Sequence, residues 1–238
     1  MKPIRLIAGL GNPGPEYRGT RHNMGYQALD AIARACGVRF SPDIRFFGEV
    51  ARLRTGDGEA WLVKPTTYMN LSGSSVQALA AYYKIAPDEI LVIHDELDLP
   101  PGAMRAKLGG GNAGHNGLKS IAQRLSTPGF WRLRIGIGHP RAYCPQQQVA
   151  DWVLGQPLPE HAKAAAPCIE AAEKLLPAFL SGAEARLGRM LRKFEPPKPP
   201  KPAKAPGPEA GPGPEGRSGR DGGAEPGGLQ QPRGQAAP

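Results

Sequence analysis

Two short apolar runs, Ile4–Leu10 and the EILVIH of Glu89–His94, most constrain how this 238-residue chain can fold. Neither alternates polar with apolar, so each suits a strand covered on both faces, as in the parallel sheets of α/β proteins. The intervening and following segments fit that frame. Residues 23–36 carry Met24, Ala28, Leu29, Ile32 and Ala33 at helical spacing and end before Gly37. Phe46–Arg54 and Ala60–Lys64 predict two strands around the turn Thr55-Gly-Asp-Gly. Asn70 stands where an N-cap belongs, before a helix through Val76, Leu79, Ala80 and Tyr83. A basic strand (MRAKL, from Met104) follows Pro100-Pro101-Gly102. A helix starting near Asn116, an alternating strand at Trp131–Gly138 and an Ala-rich helical stretch over 146–194 complete the pattern. The expected class is α/β: a single-domain sandwich with a mixed, mostly parallel twisted sheet covered by helices on both faces.

The fold must come from residues 1–194. From Glu195 to Pro238 Pro and Gly dominate, and Leu229 is the one large apolar residue, so the segment cannot offset its ordering entropy by burial. It reads as a disordered tail. The tail holds six Lys/Arg against five Asp/Glu, a net +1, so of the chain's formal +9 about +8 belongs to the body. A basic body suits a phosphate-bearing partner. Cys36, Cys144 and Cys168 lie far apart without ligand-like spacing and read as reduced thiols. With no apolar run of membrane-spanning length and no secretory leader pattern, the expectation is a cytoplasmic protein without a membrane partner.

Gly9-x-Gly11-x-x-Gly14 spells a dinucleotide-binding fingerprint, but that site needs a helix to begin at the loop and receive the pyrophosphate. Pro13 and Pro15 bias the residues before them away from helix, and Gly19 interrupts again, so no helix starts before about residue 22. The acidic residue expected after a second strand is missing, because Asp30 falls inside a helix. The nicotinamide reading is rejected. The loop offers instead polar groups at the carboxyl end of a strand, Asn12 and then His22-Asn23, while the second apolar run delivers His94-Asp95. A neutral imidazole backed by a carboxylate can take a proton from water near neutral pH. Of five histidines, His22, His94 and His115 lie at loop mouths; each taken singly is better explained by a structural hydrogen bond, and only their joint placement points to chemistry. There is no G-x-S-x-G, H-E-x-x-H or P-loop pattern, and the histidines lack metal-ligand spacing.

Taken together, GLGNPGPEYRGTRHNMG, KPTTYMNLSG, HDELDLPPG, GGNAGHNGLKS and RLRIGIGHP, in this order, resemble the bacterial-type peptidyl-tRNA hydrolase family over residues 3–190. The resemblance implies a monomeric esterase, without metal or cofactor, that cuts the ester between a peptide and the 3′ ribose of tRNA. It implies a catalytic set of His22 as base, Asp95 orienting it, and Asn12. It further implies substrate contacts from Tyr17, Tyr68, Met69, Asn70 and Asn116, with Lys107 and Arg134 clamping the tRNA 5′-phosphate. Two alternatives stand beside it: an RNA-binding relative without activity, and a deacylase of small esters, for which a distant phosphate clamp has no use.

Overall fold

The computed structural model describes residues 1–196. All but the first two residues of the expected 195–238 tail therefore lie outside the described residues. Seven strands form one sheet: β1 (Leu6–Gly9), β2 (Ser41–Asp43), β3 (Gly48–Thr55), β4 (Gly58–Pro65), β5 (Ile90–Glu96), β6 (Met104–Leu108) and β7 (Trp131–Gly136). The helices are α1 (Met24–Ala35), α2 (Ser72–Tyr82), α3 (Asn116–Arg124), α4 (Pro140–Tyr143), α5 (Val149–Leu154), α6 (Pro159–Leu180) and α7 (Glu184–Leu191).

The spatial order is β2-β3-β4-β1-β5-β7-β6. β4, β1, β5 and β7 pair in parallel, whereas β3 and β6 run against their neighbours. The sheet is thus mixed, with five of seven strands pointing one way. Both apolar runs occupy its centre, and their successive side chains go to opposite cores, as the strand period of two requires. Leu6, Ala8 and Val92 pack with Val76, Leu79 and Ile121 of α2 and α3. Ile7, Leu91 and Ile93 pack with Leu29 and Ile32 of α1 and Leu175 and Phe179 of α6.

Gly9 is present because the backbone of α1 lies directly on the end of β1. A Cβ on Gly25 would collide with Leu10 N and Ile93 O, and one on Gly9 would strike Gly25 in turn. This contact seats the start of α1, and the 3₁₀ turn Arg21–Asn23 before it, above the carboxyl ends of β1 and β5.

Two local readings differ from the structure, and one strand is not read from the sequence at all. β2 is a three-residue edge strand containing Pro42, too short to leave a periodic signal and tolerated only because one of its sides is unpaired. Phe46 lies in a 3₁₀ turn, Ile44–Phe46, rather than in β3: its ring is buried against Tyr82 and Tyr83, and Phe47 turns the chain at φ 48°. Asn70 is not an N-cap. It sits in the 3₁₀ turn Met69–Leu71, and Leu71 precedes α2.

Candidate active site

Loops after β1, β4 and β5 and the start of α3 converge above the centre of the sheet. Asn12, three residues past β1, is buried and fixed on three sides. Its backbone N–H donates to Asn23 Oδ1 at 2.9 Å, and its carbonyl accepts from Asn23 Nδ2 at 3.0 Å. Its Oδ1 accepts from Met69 N at 2.7 Å. That bond locks the turn carrying Tyr68, Met69 and Asn70 to the tip of β1 and leaves the Asn12 Nδ2 as its remaining donor. The sequence places Asn23 beside His22 at the loop but assigns it no role; here its side chain holds the backbone of Asn12.

His22 is buried beside Asp95 of β5, its Nδ1 lying 3.0 and 3.1 Å from the two carboxylate oxygens. A carboxylate only accepts, so Nδ1 carries the proton and Nε2 is left with a lone pair. Burial lowers the His22 pKa, but the charge and hydrogen bonding of Asp95 more than reverse this, and the net shift is upward. Asp95 is the hub of a larger unit. His115 Nε2 also donates to its Oδ1, at 3.1 Å. The His115 Nδ1 accepts from Gly117 N and Leu118 N, which caps α3 and fixes the tautomer. Burial pushes the Asp95 carboxyl up, but the two imidazoles outweigh it and hold the group well below the usual carboxylate range.

His94 has a different fate. Its Nδ1 lies 2.6 Å from Asp95 O and its ring stands edge-on to His115. Burial, with the His115 charge, pulls its pKa down to about 3. It is a neutral structural histidine sealed beneath the site.

His22, Asp95 and His115 form the one triplet of metal-ligand type among the described residues. Both imidazole nitrogens point at the same carboxylate oxygen, Oδ1, so the place where their lone pairs would meet on an ion is filled by a buried ligand atom. The arrangement suits proton sharing better than chelation.

Asn12, His22, Tyr68, Met69, Asn70 and Asn116 wall a cavity of about 440 Å³, closed on the far side by Ala150, Val153 and Leu154 of α5. His22, Asp95 and Asn116 also line a neighbouring space of about 260 Å³ beneath the Asn112–Gly114 loop. Asn70 and Asn116 are both exposed and free of capping duty, since His115 caps α3. Tyr17 stands apart: it ends the 3₁₀ turn Pro15–Tyr17 and lines none of the described cavities.

Lys107 and Arg134 share one face of the β6–β7 edge, where register pairs Lys107 with Arg132 and Arg105 with Arg134. Four cations thus lie together. Arg134 is tied by its Nε to Glu96 Oε2 at 2.8 Å. The buried Arg132 donates to Gly110 O and Gly111 O at 2.9 and 2.6 Å, pinning the glycine loop. Lys107 is exposed and makes no ion pair among the described residues.

Arg21 was not singled out in the sequence. It is buried, stacks on Trp152 at 3.6 Å, and donates to the carbonyls of Trp152 and Gln156 at 3.0 and 2.8 Å. It thereby ties the turn bearing His22 to the end of α5, whose Ala150 and Val153 face the cavity.

The family model described as peptidyl-tRNA hydrolase matches residues 6–199. A peptidyl-tRNA hydrolase of Bordetella petrii is 52% identical over 188 residues, which are 79% of this chain and 90% of that protein. One from Nitrosomonas eutropha is 58% identical over 160 residues, 67% of this chain and 80% of the relative. A crystal structure of peptidyl-tRNA hydrolase from Acinetobacter baumannii superposes with a TM-score of 0.76 at 38% identity, covering 81% of this chain and 96% of that one.

Proposed function

The chain belongs to the peptidyl-tRNA hydrolase family and hydrolyses peptidyl-tRNA, and we propose that His22 is the base of that reaction, oriented by Asp95. The observation that carries this reading is the His22 Nδ1–Asp95 pair, 3.0 Å long, with the free Nε2 of the same ring in a cavity walled by Asn12, Asn70 and Asn116. Nε2 takes a proton from a water as its oxygen attacks the ester carbonyl. The proton then passes to the ribose oxygen as the acyl–oxygen bond breaks, and Asp95 stabilises the transient imidazolium. An ester with a ribose leaving group is activated relative to an amide, so one base and a few oriented dipoles suffice. The side chains of Asn70 and Asn116, and Asn12 Nδ2, supply those dipoles, each amide able to meet the polar groups of a peptide end. Tyr68 and Met69 form the apolar floor for the acyl group, and Tyr17 contacts the tRNA outside the cavity.

Lys107 and Arg134 hold the 5′-phosphate of the acceptor end, with Lys107 the stronger of the two because Glu96 already engages Arg134. The enzyme acts as a monomer in the cytoplasm, with residues 1–194 the catalytic unit. Among the described residues no helix is long and apolar enough to cross a membrane. Release from N-acetyl-aminoacyl-tRNA and from free-amine aminoacyl-tRNA by the wild type and His22→Ala tests the reading. His22→Ala should lose about 10²–10⁴ in turnover, and the N-acetylated substrate should be strongly preferred. Equal cleavage of both substrates, or a retained rate in His22→Ala, would overturn it.

A further inference from the structure

Beside the cavity around His22, on the side away from the basic edge, lies a second groove. The segment Thr66-Thr67-Tyr68-Met69-Asn70 forms one unbroken wall. Its last three residues face the cavity, and its first two line that groove, of about 370 Å³, completed by Pro42, Ile44 and Phe47. This lip is conspicuously apolar for a solvent-facing surface. Ile44 is 88% exposed and Tyr68 59%, with Phe47 and Leu71 about half exposed. It is also a held shape. Phe46 is buried under the turn, Phe47 sits in the left-handed region at φ 48°, and Thr66 N donates to Phe47 O at 2.9 Å. A non-glycine residue in that conformation persists only where its surroundings impose it. The single acidic group on the groove, Asp43, is paired with Arg45 at 2.7 Å.

Resting on the active-site reading above, we propose that this lip binds the distal part of the substrate's peptide, with a preference for apolar side chains. The two halves of the substrate leave the ester in different directions. The polyanionic half matches the cations of β6 and β7, beyond β5. The largely apolar lip, whose one charge pair is internally neutralised, lies beyond β1, over β4 and β3, and shares the segment 66–70 with the wall that receives the acyl group. Exposed apolar surface of this kind marks an interaction site when it adjoins a binding cleft. Thr66 is four residues from Asn70, a span of at most about 14 Å in extended chain, so peptide residues from about the fourth onward reach the groove.

The test compares kcat/KM for tRNAs carrying an N-acetylated single residue and an N-acetylated apolar hexapeptide, in the wild type and in Ile44→Ser/Phe47→Asn. Asn tolerates the left-handed backbone at position 47, and Ile44 is almost fully exposed, so the double variant keeps its fold. The hexapeptide should hold an advantage over the single residue that falls at least about fivefold in the double variant. An unchanged long-to-short ratio, or equal losses on both substrates, would overturn the proposal. So would a wild-type dimer in sedimentation that the double variant breaks, because a second copy would then cover the lip. Failure of the His22 reading shows separately, as a retained rate of His22→Ala on the single-residue substrate.

Discussion

The two flanks of His22 are built from the same sheet yet differ in every chemical respect. The β6–β7 flank presents Arg105, Lys107, Arg132 and Arg134 on one face, and two of these are already spent on internal contacts with the glycine loop and Glu96. The opposite flank, over β3 and β4, presents Ile44, Phe47 and Tyr68, and the one carboxylate lining its groove, Asp43, is paired with Arg45. Charge attracts at long range, falls with salt and reads no sequence, whereas apolar surface acts on contact and is indifferent to salt. A substrate with a polyanion on one side of an ester and a peptide on the other calls for this division. His22, the proposed base, stands between the two.

The strongest way to break the comparison is to disable what both flanks share. Asp95→Asn should lower kcat by about 10³–10⁴ on every substrate alike, because an amide can donate to Nδ1 and present the wrong tautomer. The pH profile sharpens the point. A base works only when unprotonated, and Asp95 raises the His22 pKa, so in the wild type kcat/KM should fall as pH drops through a value above 6.5. Removing the carboxylate leaves burial to dominate and moves that acid limb to lower pH. A limb that stays in place would show that another group is the base. Asp95 Oδ1 also accepts from His115, so His115→Ala leaves the carboxylate to His22 alone and should shift the limb as well.

A smaller effect separates the flanks. Lys107→Ala with Arg134→Ala should raise KM for full-length peptidyl-tRNA by about tenfold, and should flatten the salt dependence by one to two phosphate contacts, with a short 3′-end substrate spared. Most of the loss should appear in Lys107→Ala alone, since Arg134 is held by Glu96. Equal losses on both substrates would remove the clamp from this edge. The lip variants should show the reverse pattern, being sensitive to peptide length and insensitive to salt.

The sequence carried the sheet and its centre because Ile4–Leu10 and Glu89–His94 are long enough to leave an unambiguous burial pattern. It carried the identity of His22 and Asp95 only through the resemblance of whole motifs, since 73 residues separate them in the chain. Their hydrogen bond depends on Gly9 and Gly25 letting α1 descend onto β1, a close approach that no local periodicity encodes. His115 was suspected but unassigned for the same reason: its bond to Asp95 spans 20 residues and an intervening strand. Asn70 misled in the other direction. Its N-cap chemistry is sound locally, but the Asn12 Oδ1 bond to Met69 N sets the turn and leaves Asn70 a residue short of the cap. Arg21 gave no signal at all, because a buried arginine satisfied by carbonyls looks like any surface arginine in sequence.

The smallest expected effect concerns the residues beyond the body. If both halves of the substrate are served by the two flanks, residues 195–238, with a net charge of only +1, should add little to either. A chain ending at Phe194 should keep kcat/KM and its salt slope within about twofold of the full chain on both short and long peptidyl-tRNAs. The cut must not fall earlier. Phe194 closes a 3₁₀ turn and packs in the same core as α1 and α6, so a chain ending at Leu191 removes a buried ring. That loss should cost about 1.5–3 kcal/mol and lower Tm by several degrees without a selective change in KM. A selective rise in KM for full-length tRNA on removing 195–238 alone would assign part of the electrostatic flank to the tail. A selective loss of the hexapeptide advantage would assign it to the lip.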